Sequence, residues 1–370
     1  MDYFPDSNWK SIDLTEAGFD SELQSVIDEA AILEVDVSHD LSEMLPKGTR
    51  HPNDRPLGPL KPRGKPSGVV IKDGYIVARY GDVNSVEVTF SATKSYISAV
   101  AGIAVARGLI TDLDQAVADT VTDGGFASRQ NSSITWRHLL QQTSEWEGEL
   151  FGVPDWIDRG RQVGRSASMS ANSTVGGSES TMETHRTLQR PGSFWEYNDV
   201  RVNRTALALL RLFNEPLPLV LKKYLMDPIK ATTEWKWHGY ETSWVDVGGE
   251  QIQSVSGGAH WGGGLWISTL DHARFGLLYA NDGRWLEREI LSREWVGESL
   301  TPCAINPAYG FLWWLNHDHS ISELADSSAF AARGAGGNIV FIWPARKIVI
   351  VLRWCADTRQ VIDGVLGSLS

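Results

Sequence analysis

Only a few stretches of this chain carry a clear hydrophobic pattern, and each of them predicts an element. Val69-Val70-Ile71 and Tyr75-Ile76-Val77-Ala78 flank Lys72-Asp73-Gly74. Two short apolar runs joined through Asp-Gly predict a β-hairpin, because the tight turn between antiparallel strands favours that pair. Val86-Glu87-Val88-Thr89-Phe90 alternates with period two and predicts a further strand. The period then changes. From Ser91-Ala92-Thr93-Lys94 onward, Ile97, Val100, Ala101, Ala104 and Val105 fall at helical spacing until Gly108 ends the pattern. A strand therefore runs directly into a helix at Ser91.

Elsewhere the pattern is coarser. Residues 1–66 are polar and rich in turn residues, with one helix predicted around Ser21 to Leu33 and a loop of Pro and Gly from His51 to Gly68. From about 110 to 250 the signals are mostly helical, including Thr135 to Gln142 and Val202 to Phe213. Gly164 to Glu183, full of Ser, Gly, Asn and Thr, reads as a mobile loop, either a lid or a surface excursion. His260 to Trp266 reads as a Gly-rich strand, followed by a helix with Asp271 near its start and Gly283 past its end. Strands are predicted at Ala329–Arg333, Asn338–Trp343 and Lys347–Trp354, with Pro344-Ala345-Arg346 as a turn and a last helix from about Arg359 to Leu366. Strands near both ends with helices between them predict one sheet built from both termini. The expected division is an α/β unit of residues 1–107 and 256–370 and an inserted, mainly helical subdomain of 108–255.

Composition narrows the function classes. The 370 residues are 42 % apolar, enough for a sizeable core. With 46 acidic and 34 basic residues the formal charge is −12, which argues against a nucleic-acid or anionic-membrane surface. Cys303 and Cys355 are the two cysteines, too few for a disulfide framework and without the close His partners of a structural zinc site. The N-terminus lacks a basic and then apolar leader, and no run approaches the length of a membrane span, so a soluble, cytoplasmic protein is expected. Sixteen Trp residues need a core or a groove to line.

Ser91-x-x-Lys94 carries the sharpest chemistry. Residues three apart on a helix share a face, so Lys94 reaches the Ser91 hydroxyl. A serine is a weak nucleophile until a neighbour takes its proton, and a lysine kept neutral by burial or by other cations can do so. The helix N-terminus adds free N–H groups beside the nucleophile. The same spacing in Ser7-Asn8-Trp9-Lys10 lies in a polar tail with no strand before it, so the tetrapeptide alone is weak evidence. An N-capping serine with a surface lysine is the competing account.

The chain resembles the serine-hydrolase family that groups class C β-lactamases, DD-peptidases and family VIII carboxylesterases. The resemblance runs from about residue 67 to 355. It rests on Phe90-Ser91-Ala92-Thr93-Lys94-Ser95, Ile134-Thr135-Trp136-Arg137-His138-Leu139-Leu140 with Gln142-Thr143-Ser144, and Pro191-Gly192-Ser193-Phe194-Trp195-Glu196-Tyr197-Asn198. Gly262-Gly263-Gly264-Leu265 with Ser268-Thr269-x-Asp271, and Tyr309-Gly310-Phe311-Leu312-Trp313-Trp314, complete it. It implies an α+β fold of the β-lactamase/DD-peptidase kind: an antiparallel sheet flanked by helices plus a mainly helical subdomain. It also implies that Ser91 is acylated, that Lys94 accepts its proton, and that Tyr197 serves as general base or proton shuttle.

Two motifs depart from the family. Tyr197-Asn198-Asp199 has Asp where the motif usually ends in Asn. An ionised Asp199 beside Lys94 would hold the lysine charged and shift proton acceptance toward Tyr197; otherwise Asp199 pairs with Arg201 or Arg204. The third motif falls on Ala335-Gly336-Gly337 within Arg333-Gly334-Ala335-Gly336-Gly337-Asn338, and lacks its usual cation unless Arg333 swings in. On this alignment the backbone N–H of Asn338, with that of Ser91, would form the oxyanion hole. Asp199, Arg333, Ala335, Gly336, Gly337 and Asn338 are therefore candidate substrate-binding residues. So are Trp146 and Trp313, in segments the family brings to its cleft.

The expectation is a serine hydrolase that cleaves a small ester or amide through an acyl-enzyme at Ser91, carboxylesterase-like first, with no cofactor and no metal. An amidase or peptidase, a weak β-lactamase, and a catalytically silent binding protein of the same fold are the alternatives.

Overall fold

The computed structural model describes residues 3–44, 57–159, 186–258 and 263–370. The mobile loop expected at Gly164 to Glu183, and His260, Trp261 and Gly262, lie outside the described residues.

The Asp73-Gly74 hairpin joins β1 (Ser67–Lys72) and β2 (Tyr75–Tyr80), with Asp73 and Gly74 both in the left-handed region the turn requires. The C-terminal strands pair onto it. A six-stranded antiparallel sheet runs from the edge pair Trp314–Leu315 through Phe330–Gly334, Asn338–Trp343 and Ile348–Arg353 to β1 and β2. Its closing register is Ser67↔Arg353 to Lys72↔Ile348, so both ends of the chain do build one sheet. Every residue of Ile348–Arg353 is buried, which requires cover on both sheet faces.

Helices supply that cover. Thr269–Ala280 packs across the central strands, with Gly276 at the closest approach: a Cβ there would lie 2.5 Å from Val349 Cγ1. Glu22–Ile32 packs on β2 and on the C-terminal helix Thr358–Gly367. No helix among the described residues is long and apolar enough to cross a membrane.

A second antiparallel sheet has the order Glu87–Val88, Gly264–Ile267, Lys236–Val247, Glu250–Val255. The segment 108–255 is helical at Trp136–Leu140 and at Asp199–Phe213, where helical periodicity was expected. It ends, however, in the long hairpin Lys236–Val247/Glu250–Val255, which pairs with Gly264–Ile267 beyond residue 255. Gly248 and Gly249, both left-handed, make its turn. This small sheet carries the chain into the helix that follows Ser91.

Candidate active site

Thr89 N–H donates to Leu265 O, which fixes the end of the Glu87–Val88 strand against its neighbour. Phe90 then takes a left-handed φ of 47°, unusual for an aromatic residue and a local source of strain. Its ring rests edge-on against Trp354. One 3-10 turn, Phe90–Ala92, leads into the helix Thr93–Ala106. Ser91 thus stands on a sharp strand-to-helix turn, and Lys94 follows in the first turn of the helix.

Lys94 is 1 % exposed, so the site decides its charge and partners. Its Nζ donates to Ser91 Oγ at 2.8 Å, lies 2.7 Å from Asp199 Oδ1, and reaches Gly257 O at 3.4 Å. It also stands 4.8 Å from the centre of the Tyr197 ring. Burial disfavours the ammonium, but Asp199 and Tyr197 together outweigh burial and hold Lys94 above its ordinary value. Of the two arrangements open to Asp199, the structure has the Lys94 pair. Arg201 is taken by Glu145 at 2.8 Å, Glu196 at 3.0 Å and Asp155 at 3.2 Å, and Arg204 by Asp123 at 2.5 Å.

The helix Asp199–Phe213, here called α1, delivers the acid. Asn198 caps it: its side-chain oxygen accepts from Arg201 N–H and its amide donates to Asp155 O. Asn198 N–H donates to Gln142 Oε1, and Asp199 N–H to Asp158 Oδ2. The Arg201 network ties down Glu196 just before Tyr197. No periodicity marked Asp158, at the end of the 3-10 turn Asp155–Asp158, or Gln142, just past the helix Trp136–Leu140, as supports, because both act on residues distant in sequence.

The aromatic residues divide differently from expectation. Trp195, Tyr197, Tyr309 and Trp314 pack as one cluster, with Trp314 stacked on Tyr197 at 5.7 Å. Trp313 is fully buried against Phe275, Tyr279 and Phe330, and is a core residue, not part of a cleft wall. Neighbours in an extended segment point to opposite sides, so Trp313 and Trp314 cannot share a role. Trp146 is likewise inside, its indole N–H donating to Gly125 O at 2.7 Å. Trp313→Ala should therefore lower stability by about 3–5 kcal/mol in urea unfolding and leave substrate preference unchanged. Trp314→Ala should change the preference among acyl groups.

The third-motif stretch is divided between a turn and a strand end. Ala335-Gly336-Gly337 is the turn between Phe330–Gly334 and Asn338–Trp343, and Gly336 and Gly337 are both left-handed. A Cβ on Gly337 would fall 1.8 Å from Cys355 O, so these glycines serve a tight turn packed on the chain behind it. Asn338 is buried at the hairpin base, donating to Ala335 O at 2.6 Å and accepting from Arg353 Nε at 2.5 Å. It pairs with Gly334 across the hairpin and does not line the site. The residue that meets the nucleophile turn is Gly334: a Cβ there would lie 2.1 Å from Thr89 O and 3.1 Å from Ala92 N. A glycine inside a strand pattern was the available signal. Gly334→Ala should push that strand off the turn and slow acylation of Ser91 at least ~100-fold, read as a rate of covalent labelling.

Arg333, on the same strand, lies with its guanidinium 6.0 Å from the centre of the Trp314 ring. It forms no ion pair among the described residues. Burial pulls its pKa below the usual value, while Asp318 and Tyr197 oppose that shift. A cation does stand beside the aromatic cluster, one residue before the glycine that meets the Ser91 turn.

A family model described as Beta-lactamase matches residues 68–354. The chain belongs to the Beta-lactamase family. The wider group is one of serine hydrolases of the β-lactamase, penicillin-binding-protein and esterase type. A penicillin-binding-protein homologue from Caulobacter crescentus is similar over 98 % of this chain and 99 % of its own, with a TM-score of 0.60 at 13 % identity. A family VIII carboxylesterase is similar over 82 % of this chain and 92 % of its own, TM-score 0.56, 16 % identity. A β-lactamase from Mycobacterium bovis is similar over 80 % and 92 %, TM-score 0.54, 17 % identity. No curated protein matches. At such identities the likeness establishes the fold, and that fold carries several chemistries among Beta-lactamase family relatives.

Proposed function

We propose that the protein is a carboxylesterase-like serine hydrolase that acts in the cytoplasm on a small ester and forms an acyl-enzyme at Ser91. The observation that carries this reading is the buried contact of Lys94 Nζ with both Ser91 Oγ and Asp199 Oδ1. Lys94 donates to the Ser91 oxygen, so the hydroxyl proton must leave toward another acceptor, and we assign that role to Tyr197, whose ring lies 4.8 Å from Lys94 Nζ. Tyr197 acts as the phenolate paired with the Lys94 ammonium: it takes the proton as Ser91 Oγ attacks the ester carbonyl and becomes a neutral phenol. Oxyanion charge meets the N–H of Ser91 and an N–H from the Gly334–Ala335 stretch packed against the same turn. The alkoxide or phenoxide leaves with the proton returned from Tyr197, and water then repeats the sequence on the acyl-enzyme.

The Asp199 pair favours esters. Asp199 keeps the Lys94 proton bound, so Lys94 gives Tyr197 little help in protonating a leaving group, and an amine needs that protonation more than a phenoxide does. The aromatic cluster beside Tyr197 suits an apolar or cyclic acyl group. Arg333 favours a second reading on the same machinery, a substrate amide or β-lactam that bears a carboxylate. A panel of p-nitrophenyl esters, p-nitroanilides and nitrocefin tests the order. Ester turnover should exceed the other two; an anilide or nitrocefin rate above that of every ester contradicts the esterase assignment. Absence of turnover on all three, with unlabelled Ser91, would leave a binding protein that keeps the fold.

A further inference from the structure

Residues 256–258 form a short segment behind Lys94 with no side chain in the proposed chemistry, yet it is held on every side. Gly257 O is the third acceptor around Lys94 Nζ. A Cβ on Gly258 would fall 1.8 Å from Phe90 O, so the segment also presses on the residue before the nucleophile. What holds it in place is Asn203. Asn203 Oδ1 accepts from Gly257 N–H at 2.8 Å, and its Nδ2 donates to Tyr240 OH at 3.2 Å. Because the Gly257 N–H can only donate, this contact fixes which way the Asn203 amide faces. The Tyr240 hydroxyl also accepts from Ser256 Oγ at 3.0 Å, and Ser256 Oγ accepts from Gly258 N–H at 3.1 Å. Trp237 Nε1 donates to Ser256 O at 2.8 Å. Asn203, Tyr240 and Ser256 are all buried, so water does not substitute readily for these contacts.

Asn203 lies four residues after Asp199 on α1, one turn along the same face. One helix face thus addresses Lys94 twice, directly through the Asp199 carboxylate and indirectly through the Gly257 carbonyl that Asn203 fixes.

We propose that Asn203 is a positioning residue of the hydrolase: through Gly257 it sets the third contact of the Lys94 ammonium and, through Gly258, the Phe90–Ser91 turn. This rests on the assignment of Ser91 and Lys94 as the reacting pair. The titratable and charged groups around that pair are Asp199 and Tyr197 on and just before α1, Asp158 behind Asp199, Tyr240 from the long hairpin, and Tyr309 and Arg333 from the C-terminal part. A carbonyl acceptor favours the charged lysine. Losing it eases loss of the proton from the Lys94–Tyr197 couple and moves the pH dependence of acylation downward.

The test is the rate of fluorophosphonate labelling of the full-length protein against pH, with thermal unfolding measured in parallel. Asn203→Leu, of similar volume, should lower the plateau rate about tenfold or more and move the midpoint of the profile to lower pH. Asn203→Asp retains an oxygen for the Gly257 N–H and should keep the plateau within a few-fold of wild type. Tyr240→Phe removes the hydroxyl that holds Asn203 and Ser256, and should shift the midpoint in the same direction by less; it serves if Asn203→Leu does not fold. A lowered melting temperature with wild-type plateau and midpoint in both Asn203→Leu and Tyr240→Phe would overturn the proposal, as would Asn203→Asp falling as far as Asn203→Leu. Wild-type protein that is not labelled at Ser91 would instead overturn the hydrolase assignment on which it rests.

Discussion

Ser91→Ala should lose ester turnover by about 10,000-fold or more while the protein stays folded. Ser91 supplies the bond-forming oxygen, so no neighbour replaces it; what remains is binding and the N–H groups around the oxyanion. The fold should not suffer, since the side chain carries only the Lys94 contact and the 3-10 turn is held by backbone bonds and by packing at Gly258 and Gly334. Removing one acceptor from Lys94 leaves Asp199 and Gly257 in place. Steady-state turnover with a p-nitrophenyl ester, beside urea unfolding of both proteins, separates loss of chemistry from loss of structure. Residual turnover within tenfold of wild type would move the nucleophile elsewhere.

Asp199→Asn should produce the second large effect, in pH dependence more than in peak rate. In the wild type the carboxylate keeps Lys94 protonated against its burial. Replacing it with a neutral amide removes the charge but keeps an oxygen near Nζ. Burial then dominates, and the apparent pKa of Lys94 should fall. Acylation needs the proton-accepting form, which grows as pH rises through that apparent pKa. The ascending limb of the profile should move to lower pH with it, and Lys94 itself should take a larger share of proton acceptance. Stability follows the same linkage. A lysine whose folded pKa lies above its unfolded value adds stability that is fully present below the unfolded pKa and is lost as pH rises through the folded one. At neutral pH the wild type has that stability in full, and Asp199→Asn should unfold more easily by about 3 kcal/mol. The difference should shrink above the unfolded lysine range. An unchanged profile would remove the charged pair from the mechanism.

The readable part of the site was the part set by local spacing. Ser91 and Lys94 meet because three residues of helix separate them, and the strand before them was marked by its alternation. The two-ended sheet followed from apolar runs at both ends of the chain. Asp199 was legible as a choice between partners, and only the third dimension made it, since Arg201 and Arg204 are claimed by Glu145, Glu196, Asp155 and Asp123. Other features turned on parity or register, which sequence leaves open. Trp313 and Trp314 differ by one residue, yet Trp314 joins the Tyr197 cluster while Trp313 packs on Phe275, Tyr279 and Phe330. Within Arg333–Asn338, Gly334 ends the strand that meets the Ser91 turn, while Gly336 and Gly337 turn the chain away. The hairpin Lys236–Val247/Glu250–Val255 was signalled by Gly248-Gly249 between alternating runs, a signal that the helical reading of that region passed over. Asp158, Gln142 and the Asn203–Gly257 contact join segments tens of residues apart, and no local pattern announces them.

The charge of the Lys94–Asp199 pair and the aromatic cluster refine the account, but its centre is that Ser91 becomes acylated. Fluorophosphonate treatment of the purified protein, followed by digestion and mass spectrometry, tests this directly. One phosphonyl adduct on the peptide containing Ser91, absent from Ser91→Ala and formed more slowly in a Lys94→Met variant, is the predicted result. An unmodified Ser91 peptide from wild-type protein that turns over ester, or an adduct on any other residue that survives in Ser91→Ala, would contradict it.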